Sequence, residues 1–181
     1  MKRADVQLDG LISIYDSIAK WCADGRLFPN FFSRGAVLIP IPGSSLTKPD
    51  TMWASKMLAE SLVNVGLGSS VAICISRVAY VQKSATSSPK NRPTPMKHCE
   101  TMAVTRMVTE PTSILLVDDV VTRGATFLGA ACKVAELYPN VDVRAFAAMR
   151  TVSDGNVFGH IMDPCDGTIT LLDNGRSLRR P

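Results

Sequence analysis

No stretch of this chain comes near the roughly twenty consecutive apolar residues that a membrane-crossing helix needs, so an integral membrane role is not expected. Lys2 and Arg3 give a basic start, but Asp5, Gln7 and Asp9 break up the residues behind them, so no secretory leader is expected either. The five cysteines (Cys22, Cys74, Cys99, Cys132, Cys165) are odd in number and form no Cys-x-x-Cys pair, which argues against a disulfide framework and a zinc ribbon. Charge of one sign is also scarce. Twenty basic side chains against 16 acidic ones leave a formal net charge of +4, which suits an anionic small molecule and is too weak to argue for nucleic acid by itself. With 46% apolar and 20% charged residues, the composition is not that of a disordered chain. The expectation is a single domain over residues 1–181 in the reducing cytoplasm.

Short apolar runs are what the chain does have. Leu8, Leu11, Ile12, Tyr15, Ile18, Ala19 and Cys22 keep helical spacing, with Gly25 as the stop. Ala36–Ile41 reads as a buried strand ending near Pro40, followed by a loop, and Asp50 is placed to cap a helix through Val65. Val71–Ile75 reads as a second buried strand. Ser113–Val117 is the clearest strand, Gly124–Leu137 the helix after it and Val141–Met149 the strand after that. Thr168–Leu172 reads as a last strand, with Asp173–Gly175 as a turn. Strand, helix and strand with short joins imply an α/β fold, a parallel sheet flanked by helices. Cys74 and Cys132 fall inside apolar patterns and are expected to be small buried residues.

Between Gln82 and Cys99 the periodicity fails, and His98 is placed on an exposed loop. From Arg77 to Thr109, six basic residues (Arg77, Lys83, Lys90, Arg92, Lys97, Arg106) stand against one acid, Glu100. A stretch this long without structure is either a lid or a disordered insert. His160, Asp163, Cys165 and Asp166 match no standard zinc spacing and read as a turn-rich loop. Arg176, Arg179 and Arg180 read as a solvated basic tail.

The chemistry concentrates in Leu116–Phe127 (Leu-Val-Asp-Asp-Val-Val-Thr-Arg-Gly-Ala-Thr-Phe). An apolar strand ends in Asp118 and Asp119, a polar turn of Thr122, Arg123 and Gly124 comes next, and a helix starts at once. In an open parallel sheet, ligands bind beyond the carboxyl ends of the strands. A helix start offers unpaired amides to a phosphate, and Gly124 lets the backbone approach closely. Thr122 and Thr126 carry hydroxyl donors. The carboxylates repel phosphate and suit sugar hydroxyls or a metal ion. One strand end thus holds the elements of a ribose-phosphate site.

This segment resembles the motif by which type I phosphoribosyltransferases bind 5-phosphoribosyl-1-pyrophosphate (PRPP): a hydrophobic run, two acids and a Thr/Ser-x-Gly-x-Thr/Ser loop. Within that family it is most similar to the competence-protein F (ComF-like) group, whose zinc-binding segment has no counterpart here. The resemblance implies that Asp118 and Asp119 bind the ribose hydroxyls and act in catalysis, with magnesium held mostly through the substrate. Val120, Val121, Thr122, Arg123, Gly124, Ala125 and Thr126 complete the PRPP site, Arg123 standing where Thr or Ser is common. Gly43, Ser44 and Ser45 occupy the place of the family's pyrophosphate loop, with Lys48 nearby. Residues 82–99 resemble its flexible loop, in which Lys83, Lys90, Arg92 and Lys97 are placed to neutralise departing pyrophosphate; Lys97 is the one assigned a catalytic role. A small hood from about 1–33 and 159–181 would receive an unidentified base, with Trp21, Phe31 and Phe158 as aromatic candidates or core residues. Three functions stay open: a phosphoribosyltransferase, a non-catalytic PRPP or nucleotide sensor, and a ComF-like role linked to DNA. The resemblance also allows a homodimer.

Overall fold

The apolar runs near residues 37–40 and 113–117 are the two central strands of one parallel sheet. A computed structural model of the chain describes residues 14–44, 52–81, 92–152 and 163–180. Along the chain these form α1 (14–23), β1 (Val37–Pro40), α2 (Ala54–Asn64), β2 (Ser70–Val71), β3 (Ile75–Arg77) and α3 (Pro95–Glu100). Then come β4 (Met102–Val104), β5 (Ser113–Val121), α4 (Ala125–Leu137), β6 (Asp142–Arg150), β7 (Thr168–Leu171) and β8 (Ser177–Arg180). The main sheet has four parallel strands in the order β2-β1-β5-β6. β3–β4 and β7–β8 are antiparallel pairs outside it.

Side-chain alternation along β5 explains the layering. Leu115 and Val117 join Leu38, Leu58, Leu62, Tyr15 and Ala19, so α1 and α2 cover one face. Ile114 and Leu116 join Ile39, Ile41, Phe127, Val134 and Tyr138, so α4 covers the other. A strand buried on both faces needs an apolar residue at nearly every position, which is why 114–117 reads as an unbroken run. Phe28, Phe31 and Phe32 pack around Phe146, with Phe32 and Phe146 centroids 5.1 Å apart.

Several expectations need correction. Val71–Ile75 is not one strand. β2 stops at Val71, Ala72 N still donates to Leu38 O, and the chain then leaves the sheet with Ile73 exposed. The next donor on that edge of β1 would be the amide of residue 40, and Pro40 has none. The second helix starts at Ala54 after Trp53, while Asp50 lies outside the described residues. β5 does not end before the acids; it runs to Val121 because β6 keeps pairing with it, Asp118 opposite Ala147 and Val121 opposite Arg150. Cys74 is buried as expected, but Cys132 is exposed. Part of the expected loop is the short helix α3, begun by Pro95 and capped by Thr94, whose Oγ1 accepts from Lys97 N at 3.2 Å. His98 and Cys99 on α3 are buried, not exposed. The basic tail is a strand of the β7–β8 hairpin, closed by the expected turn at Asp173–Gly175. Among the described residues no helix is long and apolar enough to cross a membrane.

Candidate ribose-phosphate site

β1 and β5 lie side by side and end in the same direction, but their onward connections diverge. β1 continues through α2 to β2 on one side, and β5 through α4 to β6 on the other. Such a divergence opens a crevice beyond the strand ends, the usual binding place in open α/β sheets. The loops after β1 and β5 are therefore neighbours, and Ile41 N donates to Val117 O across their bases at 2.8 Å.

Asp118 and Asp119 lie in the second half of β5. Each uses one carboxylate oxygen on the next backbone amide: Asp119 N donates to Asp118 Oδ1 and Val120 N to Asp119 Oδ1, both at 3.0 Å. Burial holds the Asp118 carboxyl well above the usual carboxylate range. The charge of Asp119 and a hydrogen bond from it push the same way, while the Asp119 amide and Arg77 pull down. Tyr15, buried under the same strand end, is raised by its own burial and then by the charges of Asp119 and Asp118. The pair is thus an under-compensated pocket of negative charge, and a cation or a set of hydroxyl donors would relieve it.

The turn into α4 depends on Gly124. It is the residue preceding the helix, at φ 78°, ψ 12°, and no side chain caps the helix start. A Cβ there would also lie 2.5 Å from Ile169 Cδ1, so glycine is required by conformation and by space. Arg179 on β8 fixes the turn from outside: its Nε donates to Thr122 O at 2.9 Å and its terminal nitrogen to Thr151 O at 2.8 Å. A small depression at this turn is walled by Thr122, Arg123 and Ala125 together with Arg92 and Arg176, so three guanidinium-bearing residues surround the start of α4. Val120 is exposed and Val121 half-buried against the α4-side core.

The loop after β1 is held through its carbonyls. Trp53 Nε1 and Ser55 Oγ both donate to Ile41 O, at 2.9 and 2.6 Å. Arg77 Nε donates to Gly43 O at 3.0 Å and Val81 N to Ser44 O at 2.9 Å. Among the described residues no acceptor takes the amide hydrogens of Gly43 and Ser44. A loop with its carbonyls turned into the protein, and no acceptor on these amides among the described residues, is suited to an anion. Ser45 and Lys48 lie outside the described residues.

Sequence reasoning missed how Arg77 and His98 join these loops. Arg77 was only one of six scattered basic residues. On β3 it is buried and donates to Gly43 O, to Thr101 Oγ1 at 2.9 Å and toward His98 Nδ1 at 3.0 Å. Burial lowers its pKa to about 10, against the opposing charge of Asp118, so it stays a cation at neutral pH. A guanidinium only donates, so His98 Nδ1 accepts and its hydrogen sits on Nε2. Nε2 faces Thr126 Oγ1 at 3.5 Å, which leaves the threonine hydroxyl hydrogen free to point at a ligand. Burial, and then the Arg77 charge, lowers His98 to about 4, in keeping with a neutral ring. A chain of polar contacts thus runs from Gly43 through Arg77 and His98 to Thr126. Only the buried setting of both side chains reveals it, and no local pattern signals that.

The remaining predicted residues are placed less tightly. Lys97 is exposed on α3 and pairs with Glu100 at 3.5 Å. Lys83, Lys90, Phe158 and His160 lie outside the described residues. A larger cleft of about 1000 Å³ opens beside the end of β6. It is lined by Ile18, Trp21 and Phe31 from the first segment and by Asp163, Cys165 and Arg179 from the last.

No family model matches the chain, and no curated protein matches it. Among solved structures it is similar to a hypoxanthine phosphoribosyltransferase from Staphylococcus aureus at 10% identity, over 79% of this chain and 76% of that one, with a TM-score of 0.44. It is also similar to a glutamic acid mutant from an analysis of an invariant aspartic acid in HPRTs, at 17% identity over 80% and 79% of the two chains, with a TM-score of 0.41. Likeness at this level carries no argument, and the fold rests on the strand order and pairing described above.

Proposed function

We propose that the chain binds PRPP with magnesium in the crevice between β1 and β5 and transfers its phosphoribosyl group to the nitrogen of a heterocyclic base, releasing pyrophosphate. The observation that carries this reading is the convergence of three elements at one topological switch point: the Asp118–Asp119 pair, the Thr122–Thr126 turn and the Gly43–Ser44 amides. Asp118 and Asp119 accept hydrogen bonds from the ribose hydroxyls. The 5′-phosphate lies at the start of α4, where Thr122, Thr126 and the first amides donate to it beside Arg92, Arg123 and Arg176. The pyrophosphate lies over the Gly43 and Ser44 amides, on a loop that Arg77 holds from behind.

The oxygen donors of the acid pair fit magnesium, which prefers carboxylate and phosphate oxygens and keeps several waters. Two neighbouring carboxyl groups, one with its pKa raised by burial and by the other's charge, are a setting that a divalent cation would relieve. Bound with the substrate, magnesium would offset charge on the leaving pyrophosphate. The C1–oxygen bond to pyrophosphate breaks with its electron pair leaving on that oxygen, the base nitrogen supplies the new pair, and the proton it carries passes to solvent. The acid pair faces the positive charge that develops on the sugar ring, and the rest is positioning. The cleft flanked by Trp21 and Phe31 is the place for the base, and a flat apolar ring suits that lining.

Calorimetric titration of PRPP with magnesium tests the reading. Wild type should bind saturably only with the metal, and the Asp118→Asn/Asp119→Asn double variant should lose at least about 100-fold in affinity, as expected when several charge-assisted hydrogen bonds are removed. A well-folded wild type that does not bind PRPP would overturn it. Pyrophosphate release over a panel of bases then separates a transferase from a sensor.

A further inference from the structure

One end of the contact between α3 and α4 carries the His98–Thr126 link of the proposed substrate site, and further along α4 the same contact holds a second cluster of ligating groups. Gly129 lets the two helices meet: a Cβ there would fall 2.5 Å from His98 Cβ and 2.9 Å from Cys99 N. That approach brings Cys99 Sγ to 3.2 Å from Cys132 Sγ and 3.9 Å from Glu136 Oε1. Cys132 and Glu136 are four residues apart on α4 and so share a face. The ligand atoms of all three residues lie within 4.8 Å of one another. A tetrahedral zinc ion with Zn–S about 2.3 Å and Zn–O about 2.0 Å sets sulfur–sulfur and sulfur–oxygen edges of roughly 3.8 and 3.5 Å. The two separations from Cys99 differ from those edges by about half an ångström, within the reach of small side-chain rotations.

We propose that Cys99, Cys132 and Glu136 form a site for a thiophilic divalent cation of the zinc type, which staples α3 to α4. Two sulfur ligands select a soft or borderline metal over magnesium or calcium. Cys99 is buried while Cys132 and Glu136 are exposed, so the ion enters from solvent and keeps a water as its fourth ligand. Thiols must lose their protons to bind a metal, so binding releases protons and strengthens with pH. Lys133 is the built-in competitor. Its Nζ bonds both Glu136 oxygens, at 3.0 and 2.9 Å, and must give up at least one when the metal binds.

The full chain, stripped of metal with a chelator and kept reduced by a phosphine, is titrated with cobalt(II) and then with zinc(II). One equivalent of cobalt should bind with a sulfur-to-metal charge-transfer band that zinc abolishes, and zinc should raise the melting temperature. Cys132→Ser, a change at an exposed position that should leave the fold intact, should weaken binding at least about tenfold and remove the melting shift. Glu136→Gln should weaken it less, and Lys133→Ala should tighten it. Absence of the band in wild type, or equal affinity in wild type and Cys132→Ser, overturns the site. Unchanged affinity in Glu136→Gln overturns the three-ligand assignment. None of these readouts involves PRPP, so they stand or fall apart from the proposed transferase activity.

Discussion

Residues 113–126 and the pair of segments 75–77 and 94–101 face the same crevice but are built in opposite ways. The first is contiguous: strand, acids, turn and helix succeed one another, and each residue's task is set by its place in that order. The second is assembled. Arg77 comes from β3, His98 from α3 and Thr101 from the end of that helix, and they meet because β3 pairs with β4, Arg77 opposite Met102, while α3 packs on α4 at Gly129. The contiguous region presents ligand groups, while the assembled one holds those groups still. Chemistry can therefore be read from neighbouring residues where the backbone does the arranging, and positioning is hidden where tertiary packing does it.

The comparison breaks most visibly at Arg77. If the assembled region supports both loops, Arg77→Met should cost about 3–4 kcal/mol of stability, because Gly43 O, Thr101 and His98 lose a charge-assisted partner at a buried place. Urea denaturation measures it. A cost under about 1 kcal/mol would mean that water or a neighbour replaces the guanidinium, and the assembled region would be mere packing. Met keeps most of the apolar stem, so the loss reports on hydrogen bonds rather than on a void.

Much of the main sheet was legible because burial on both faces writes uninterrupted apolar runs, as at Ile114–Val117, and because 3.6-residue spacing marks α4. The boundaries went astray for reasons that sit elsewhere in the chain. Val71–Ile75 looked like one strand, but the partner edge fails at Pro40. Asp118 and Asp119 looked like a strand end, but β6 carries the pairing past them. The basic tail looked solvated because nothing local says that Arg179 reaches back to Thr122. At the site, the acids and the turn were legible as a motif, whereas His98 was misplaced because the polar stretch before it reads as a loop, while packing of α3 on α4 at Gly129 buries it against Arg77 and Thr126.

Gly124 sharpens the comparison from the contiguous side. Gly124→Ala places a Cβ on a left-handed residue, about 1–2 kcal/mol, and drives it into Ile169, so the total should reach about 2–3 kcal/mol. Gly124→Ala with Ile169→Ala should recover the steric part and leave the conformational part. PRPP affinity should fall in both variants if the turn holds phosphate. Recovery of full stability in the double variant would mean that the positive φ carries no cost there.

The smallest expected effect is the most diagnostic of the assembled region. His98 has a folded pKa near 4 against 6.5 unfolded, so below 6.5 the unfolded chain takes up the proton first. Its contribution is complete above pH 6.5, is lost as the pH falls toward 4 and changes no further beneath that. Asp118 works in the opposite direction, since a raised carboxyl pKa makes the folded chain take up its proton first, giving stability that is lost as the pH rises. Wild-type stability alone therefore mixes the two. His98→Gln keeps polar ends toward Arg77 and Thr126 but does not titrate. The stability difference between wild type and His98→Gln should shift against wild type by about 2 kcal/mol between pH 7 and pH 4, since each unit of pKa shift is worth about 1.4 kcal/mol and some of it is lost to relaxation. A difference that stays flat over that range would place a titrating, solvated histidine at position 98. The buried link from Arg77 to Thr126 would then be absent, and the two loops would be held independently.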